Sequence, residues 1–334
     1  MKKNLLAIAV GAAVAFPGLA LADGPTVYGK VNVSLENSDV DDGTTSEDTW
    51  ELNSNASRLG VKGDFDLDVA NLKAIYQAEF EISVDDGDKG GQTFTQRNIF
   101  GGLEGSLGTI KAGKFDTPTK KAQGKIDQFN DIGGDIKNVL AGENRVSNII
   151  QYSTPKLADM ITLNVAFIPG EGDDVDADGD ADTDIADTTS ISLVAEKDMF
   201  YGAISRDTDM VDELVADPST PAVESLDITR AAVGLKPGNF ELGALYQLAE
   251  ETEGDGEDSS IVVSAAMKID RIKLKAQYGM TDGDQSDEEV TQVSLGADYK
   301  LAKASKVYVY GTQLDFDLAD EEETIFGLGM EHKF

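Results

Sequence analysis

The sequence predicts an all-β fold, a transmembrane antiparallel β-barrel of about sixteen strands. Three observations lead there. Segments of about ten residues alternate apolar and polar side chains with a period of two, so each strand has one oily face. Short and long connections alternate between these segments, as in bacterial outer-membrane barrels. The last segment, 324–334, is itself a strand whose apolar positions are Phe326, Leu328, Met330 and Phe334. Such a strand is a hazardous sheet edge unless paired, and pairing last strand to first removes the edge.

Taken in chain order, 1–22 reads as a secretory signal peptide. Lys2 and Lys3 precede an apolar core, and Ala20-Leu21-Ala22 offers a small-residue cleavage site before Asp23. A buried N-terminal helix is the bland alternative. Removing the leader takes away two lysines and no acids, so a net charge of −34 becomes −36. No later stretch reaches the ~18–20 consecutive apolar residues of a spanning helix. The remainder, 23–334, shows no linker and no change of texture, which fits one closed sheet.

The first strand, 26–36, sets Val27, Val31, Val33 and Leu35 against Tyr28, Lys30, Asn32 and Ser34. Strands at 49–63, 70–83, 93–103 and 108–115 follow, the second of these opposing Tyr76, Ala78 and Phe80 to Gln77, Glu79 and Glu81. After a long connection come 145–153, 160–168, 188–196, 199–207 and 225–236. Strand 239–249 has an oily face of Phe240, Leu242, Ala244, Tyr246 and Leu248, and 259–269 follows it. In 271–281, Ile272, Leu274, Ala276, Tyr278 and Met280 face away from Arg271, Lys273, Lys275 and Gln277. A helix would scatter these residues around its circumference. Strands 289–299, 305–315 and 323–334 complete the set.

Most excess acid falls in connections at 39–48, 171–187, 250–258, 282–289 and 315–323. Solvated, mutually repelling loops are one reading. Weak Ca²⁺ or Mg²⁺ binding by these external loops, bridging to anionic lipopolysaccharide, is the other. Asp174-x-Asp176-x-Asp178-Gly179 opens like a helix–loop–helix calcium loop, but its twelfth position is Ile185, where a bidentate Glu is needed. No dedicated metal site and no cofactor are expected. There is no cysteine, and His332 is the single histidine, so thiol and histidine catalysis lack material. The chain is expected not to be an enzyme and not to bind nucleic acid.

The longest connection, 116–144, carries Asp127-Gln128-Phe129-Asn130-Asp131-Ile132-Gly133-Gly134-Asp135. A connection this long in a compact fold is usually functional. It resembles the constriction loop of the general bacterial porins, trimeric sixteen-stranded diffusion channels of Gram-negative outer membranes. That resemblance implies a third loop folded into the lumen, with Asp127 and Asp131 at acidic eyelet positions and Gly133, Gly134 and Asp135 shaping it. Val27-Tyr28-Gly29-Lys30, Ser57-Arg58-Leu59-Gly60, Gln96-Arg97-Asn98 and Asn144-Arg145-Val146 are similar to the family's strands. On it, Lys30, Arg58, Arg97 and Arg145 form the basic wall opposite. Where the family usually has an aromatic two residues before the terminal Phe, this chain has His332.

The resemblance implies an outer-membrane homotrimer, in contact with lipid and lipopolysaccharide, that passes ions and small hydrophilic solutes. Parity agrees: Lys30 and Arg58 oppose the apolar face, and a base at mid-membrane on the lipid side would cost ~2–4 kcal/mol. Acids facing bases would set a transverse field, acting across a narrow gap because the Debye length is ~8 Å at physiological salt. The same charges could instead form a closed salt-bridge network that pins the loop. A substrate-selective channel for an anionic or sugar solute is the alternative function, kept open by the lysines at 111, 114, 120, 121 and 125. The acidic mouth favours cations and the basic wall anions, with a modest cation preference expected at low salt.

Overall fold

The computed structural model describes residues 24–69, 71–87, 91–170, 185–212, 214–216, 224–284, 288–317 and 320–334. The leader at 1–22 and the calcium-loop-like segment at 174–179 lie outside the described residues. Seventeen strand segments form one sheet. They are β1 (Thr26–Asp41), β2 (Ser46–Ser54), β3 (Arg58–Asp66), β4 (Lys73–Ile82), β5 (Phe94–Gly105) and β6 (Gly108–Asp116). Next come β7 (Arg145–Ser153), β8 (Ile161–Ile168), β9 (Thr188–Lys197), β10 (Phe200–Asp212), β11 (Glu224–Leu235) and β12 (Phe240–Glu251). The last five are β13 (Glu257–Ile269), β14 (Ile272–Gly283), β15 (Glu289–Ala302), β16 (Ser305–Phe316) and β17 (Glu321–Lys333).

β2 and β3 are two halves of one strand, because both pair with β1 in sequence, from Asp41↔Ser46 through Val33↔Ser54 and on from Lys30↔Arg58. The barrel is therefore sixteen-stranded. Every neighbouring pair is antiparallel, and β17 closes on β1 from Lys30↔Lys333 to Asp41↔Glu322. The terminal residue joins the closure: Gly29 N donates to the Phe334 carbonyl at 3.0 Å, and Phe334 N returns the bond at 3.1 Å. A side chain at Gly29 would run into the Phe334 ring, so this close approach needs glycine.

The break at 55–57 has a built-in cause. Ala56 takes φ +47°, Asn55 N donates to the Asn32 carbonyl, and Ser57 Oγ both accepts from Asn32 N and donates to its carbonyl. An irregularity of this type bends a strand and re-aims the next side chain. Here the next side chain is Arg58.

Strand parity follows the expected faces. Leu274, Val263, Leu295 and Leu328 are exposed on the outside, while Lys275, Ser264, Ser294 and Gln277 are buried inside. The strands run further into the acidic segments than expected. β1 reaches Asp41, β10 reaches Asp212, and only 252–256 separate β12 from β13. Spanning takes about 9–11 tilted residues, so these extensions stand clear of lipid, where water solvates their acids. The connection expected at 39–48 is mainly strand, and that expected at 250–258 shrinks to 252–256.

The inner face is not polar all round. Ala232, Leu245, Val262, Tyr308 and Tyr310 are buried on the inner wall, packed with Ile126, Phe129, Ile132, Ile136 and Val139 of the segment between β6 and β7. That segment supplies an internal core.

Candidate functional site

Residues 117–144 connect β6 to β7, beginning with a single helical turn, α1 (Pro118–Ala122). Thr117 caps it, accepting from Lys120 N, and Pro118 is compatible with a helix start. The turn is fastened to strands on one side of the barrel. Thr119 Oγ1 donates to Asp207 Oδ1 at 2.5 Å, and Tyr201 OH donates to the Ala122 carbonyl at 2.9 Å.

The middle of the segment lies against the inner wall. Gln128 N donates to Gln277 Oε1 at 2.9 Å, and the Gly134 carbonyl accepts from Gln277 Nε2 at 3.0 Å and Gln292 Nε2 at 2.8 Å. Ser264 Oγ donates to the Ile126 carbonyl at 2.6 Å. Gly133 N donates to Tyr310 OH at 3.2 Å, and that hydroxyl donates to Glu36 at 2.6 Å. A Cβ at Gly134 would sit 2.6 Å from Ser294 Oγ and 2.8 Å from Thr312 Oγ1, so the approach is too close for any other residue. Lys275 Nζ donates to the Gln128 carbonyl at 3.0 Å and stands 4.4 Å from the centre of the Phe129 ring.

Across the lumen from α1, Asp131 meets the wall at β1 and β3. Its Oδ2 lies 2.6 Å from Lys30 Nζ and 2.7 Å from Arg58 Nη2. Burial alone would raise this carboxyl, but Lys30 and Arg58 outweigh it and hold Asp131 below the ordinary carboxylate value. Asp131 adopts φ +67°, and its backbone N donates to Asp135 Oδ2 at 2.8 Å. Asp135 Oδ1 also accepts from Lys137 N at 3.0 Å, so this acid organises the turn.

Asp127 is placed differently from Asp131. Its Oδ1 accepts from Phe129 N at 2.8 Å, within the segment. Burial, then the neighbouring Asp135, pushes its carboxyl well above the ordinary value. Arg97 is paired with Glu79 at 3.1 Å and Glu81 at 2.7 Å on β4, and Arg145 with Asp116 at 2.8 Å. Tyr28 OH donates to Glu79 at 2.9 Å. Lys30, Arg58 and Arg97 therefore sit in one ion-pair network through Asp131 and Glu79, and Arg145 in a second with Asp116 and Lys121. Of the two eyelet acids, these networks include only Asp131.

Sequence reading missed the deepest anchor. Arg230 of β11 is fully buried, its Nη1 2.8 Å from Glu143 Oε1. Nε donates to Gln247 Oε1 at 2.8 Å and Nη2 to the Ala141 carbonyl at 2.9 Å. Its signal was present: an arginine between Ile228 and Ala232 on one parity must be paired inside. Among the lysines left open, Lys121 lies 3.1 Å from Asp116, and Lys111 lies over the Phe115 ring at 3.8 Å. Lys120, Lys121 and Lys125 all line the open space described next.

That space is a cavity of about 1190 Å³. Bases and acids both line it, among them Arg58, Arg97, Lys125, Lys137, Lys273 and Lys306, with Glu79, Asp127, Asp131 and Asp298. Among the described residues no group of three or more His, Asp or Glu is arranged to hold a metal ion. His332 Nδ1 lies 2.8 Å from Ser305 Oγ in an exposed position.

The family model for Gram-negative porins matches residues 8–319. Outer membrane porin protein 32 of Delftia acidovorans is 28% identical over 92% of this chain and 88% of its own length. Among solved structures, the anion-selective porin from Comamonas acidovorans superposes with a TM-score of 0.77 at 21% identity, covering 93% of this chain and all of that one. OmpT of Vibrio cholerae in its trimer form gives 0.67 at 17% identity, over 93% of this chain and 99% of that one.

Proposed function

The chain belongs to the Gram-negative porins, channels of the outer membrane, and from that premise we propose that residues 117–144 are the constriction that sets what passes. One observation carries this reading. The segment reaches opposite sides of the inner wall, Lys30 and Arg58 on β1 and β3 through Asp131, and Asp207 and Tyr201 on β10 through Thr119 and Ala122. What stays open beside it is a cavity lined by charge, which favours hydrated ions and small hydrophilic solutes over apolar ones.

In this reading the ion pairs have two tasks. Asp131, Lys30 and Arg58 pin the segment, and they also leave ordered charge beside the permeation path. Asp127 lines the cavity without a wall partner, and Lys125 and Lys137 are exposed along the segment. Replacing Asp131 with Asn tests the assignment in a planar bilayer. A shift of reversal potential toward anions with noisier open levels is expected, and unchanged traces would refute it.

The protein is read as a homotrimer, by analogy with OmpT of Vibrio cholerae, which shares the fold and has a trimer form. It is read as non-enzymatic, since its single histidine is exposed and lies against Ser305. The outward apolar belt meets lipid, and the acidic strand ends meet lipopolysaccharide through loosely held divalent cations. A second reading, an anion-selective channel, draws on the exposed lysines of the segment and on the shared fold of the anion-selective porin from Comamonas acidovorans. Reversal potentials across a salt gradient separate it from the modest cation preference set by the acidic mouth.

A further inference from the structure

The inner wall at the short-turn end repeats one arrangement three times. Glu241 on β12 lies between Lys268 and Lys273, the latter at 2.7 Å. Asp298 on β15 lies between Lys275 at 3.1 Å and Lys306 at 2.9 Å. Glu331 on β17 lies between Lys333 at 3.1 Å and Lys30 at 3.9 Å. In the first two groups one acid serves two lysines, so each leaves an uncompensated positive charge on the wall, whereas in the third Lys30 is also paired with Asp131. The opposite end has the other sign. Asp39, Asp41, Asp42, Glu47, Asp48 and Glu51, all exposed, crowd the β1–β2 hairpin, and no base stands among them.

We propose that this axial separation of charge makes the channel an ionic rectifier. The proposal rests on the porin reading and adds a direction to it. Cations accumulate at the acidic outer mouth and anions in the lysine-lined inner half. When the outer side is positive, the field drives each ion in through the end that favours it. Both species then build up where the two zones meet, and conductance rises. With the outer side negative, both are drawn out of the junction, and conductance falls. Because the Debye length is ~10 Å at 0.1 M and ~3 Å at 1 M salt, the asymmetry belongs to dilute salt.

The mature chain, inserted in one orientation in a planar bilayer, tests this with KCl alone. The chain has no cysteine, so Thr252→Cys in the β12–β13 connection can carry a biotin. Streptavidin then reaches that biotin from one chamber only, which identifies the outer side. In 0.1 M KCl the current at +100 mV on the outer side should exceed that at −100 mV by about twofold, falling to near parity at 1 M. Lys273→Gln with Lys306→Gln should reduce the ratio, as should Glu47→Gln with Asp48→Asn in the fully exposed hairpin. Equal currents at 0.1 M, the larger current with the outer side negative, or a ratio that survives 1 M salt overturns the proposal and leaves the porin reading intact. Insertion without current overturns both.

Discussion

At the scale of single residues, Arg230 and Asp131 hold the segment for different reasons. Arg230 has no access to water and needs every partner it has, and removing it leaves the largely buried Glu143 with only Gln123 at 3.0 Å and Lys120 at 3.9 Å. Arg230→Ala should cost at least about 3 kcal/mol, the usual penalty for breaking a buried pair. Arg230→Lys should recover little, because a lysine has no planar fork to reach Glu143, Gln247 and the Ala141 carbonyl together. The temperature at which the folded band is lost on unheated gels reads this directly. Asp127 and Asp131 part company on acidification. Asp131 is held below the ordinary carboxylate value of ~3.9. Its pairing therefore stabilises the fold above that value and is lost only as pH falls through the lowered one. Asp127 is held above it, so its charge is disfavoured in the fold and its protonation on acidification is stabilising. Conductance should thus change first through Asp127. Asp127→Asn should abolish that step in a pH series, whereas Asp131→Asn should leave it in place. Lys30, Arg58 and Asp131 could be found in the sequence because a family pattern marks them. For Arg230, parity between Ile228 and Ala232 puts it inside, but its role stayed hidden because its partners at 141 and 143 lie far along the chain.

At the scale of elements, periodicity located the strands and misjudged where several end. Residues 39–41 and 250–251 are acidic enough to read as loop, yet they continue the ladder because paired backbone outside the lipid tolerates any soluble side chain. The split of the second strand at 55–57 was equally hidden: Asn55-Ala56-Ser57 is poor in strand formers, but alternation holds on both sides of it, at Trp50 and Leu52 and again at Leu59 and Val61, while the backbone turns aside at Ala56. The paired glycines of the segment were legible, but their reason is tertiary: Gly134 lies against Ser294 and Thr312. Gly134→Val should push the segment off the wall and break its bonds to Gln277 and Gln292. Larger and noisier single-channel currents are expected, with the barrel still folded by circular dichroism. Currents identical to wild type would mean that this contact does not position the segment.

At the scale of the whole molecule, a heavily acidic chain builds a lumen whose charges are largely matched. The excess negative charge stands on strand ends, clear of the lipid, where water and salt screen it. The barrel leaves no free edge, since β17 pairs with β1 and the terminal aromatic packs on Gly29. Closure, strand number and the oily outer face were all visible in the sequence. The apolar patch inside was not, because Ala232, Leu245 and Val262 are explained only by the segment that covers them. The most direct test is single-channel conductance of the mature chain beside a variant in which 126–138 is replaced by a flexible Gly-Ser linker. If that segment sets the pore, wild-type openings come in groups of three and the variant conducts at least about twice as much, because the lumen of a sixteen-stranded barrel is wide enough to hold an aqueous channel. Equal conductance, with the variant still folded and inserted, would contradict the account.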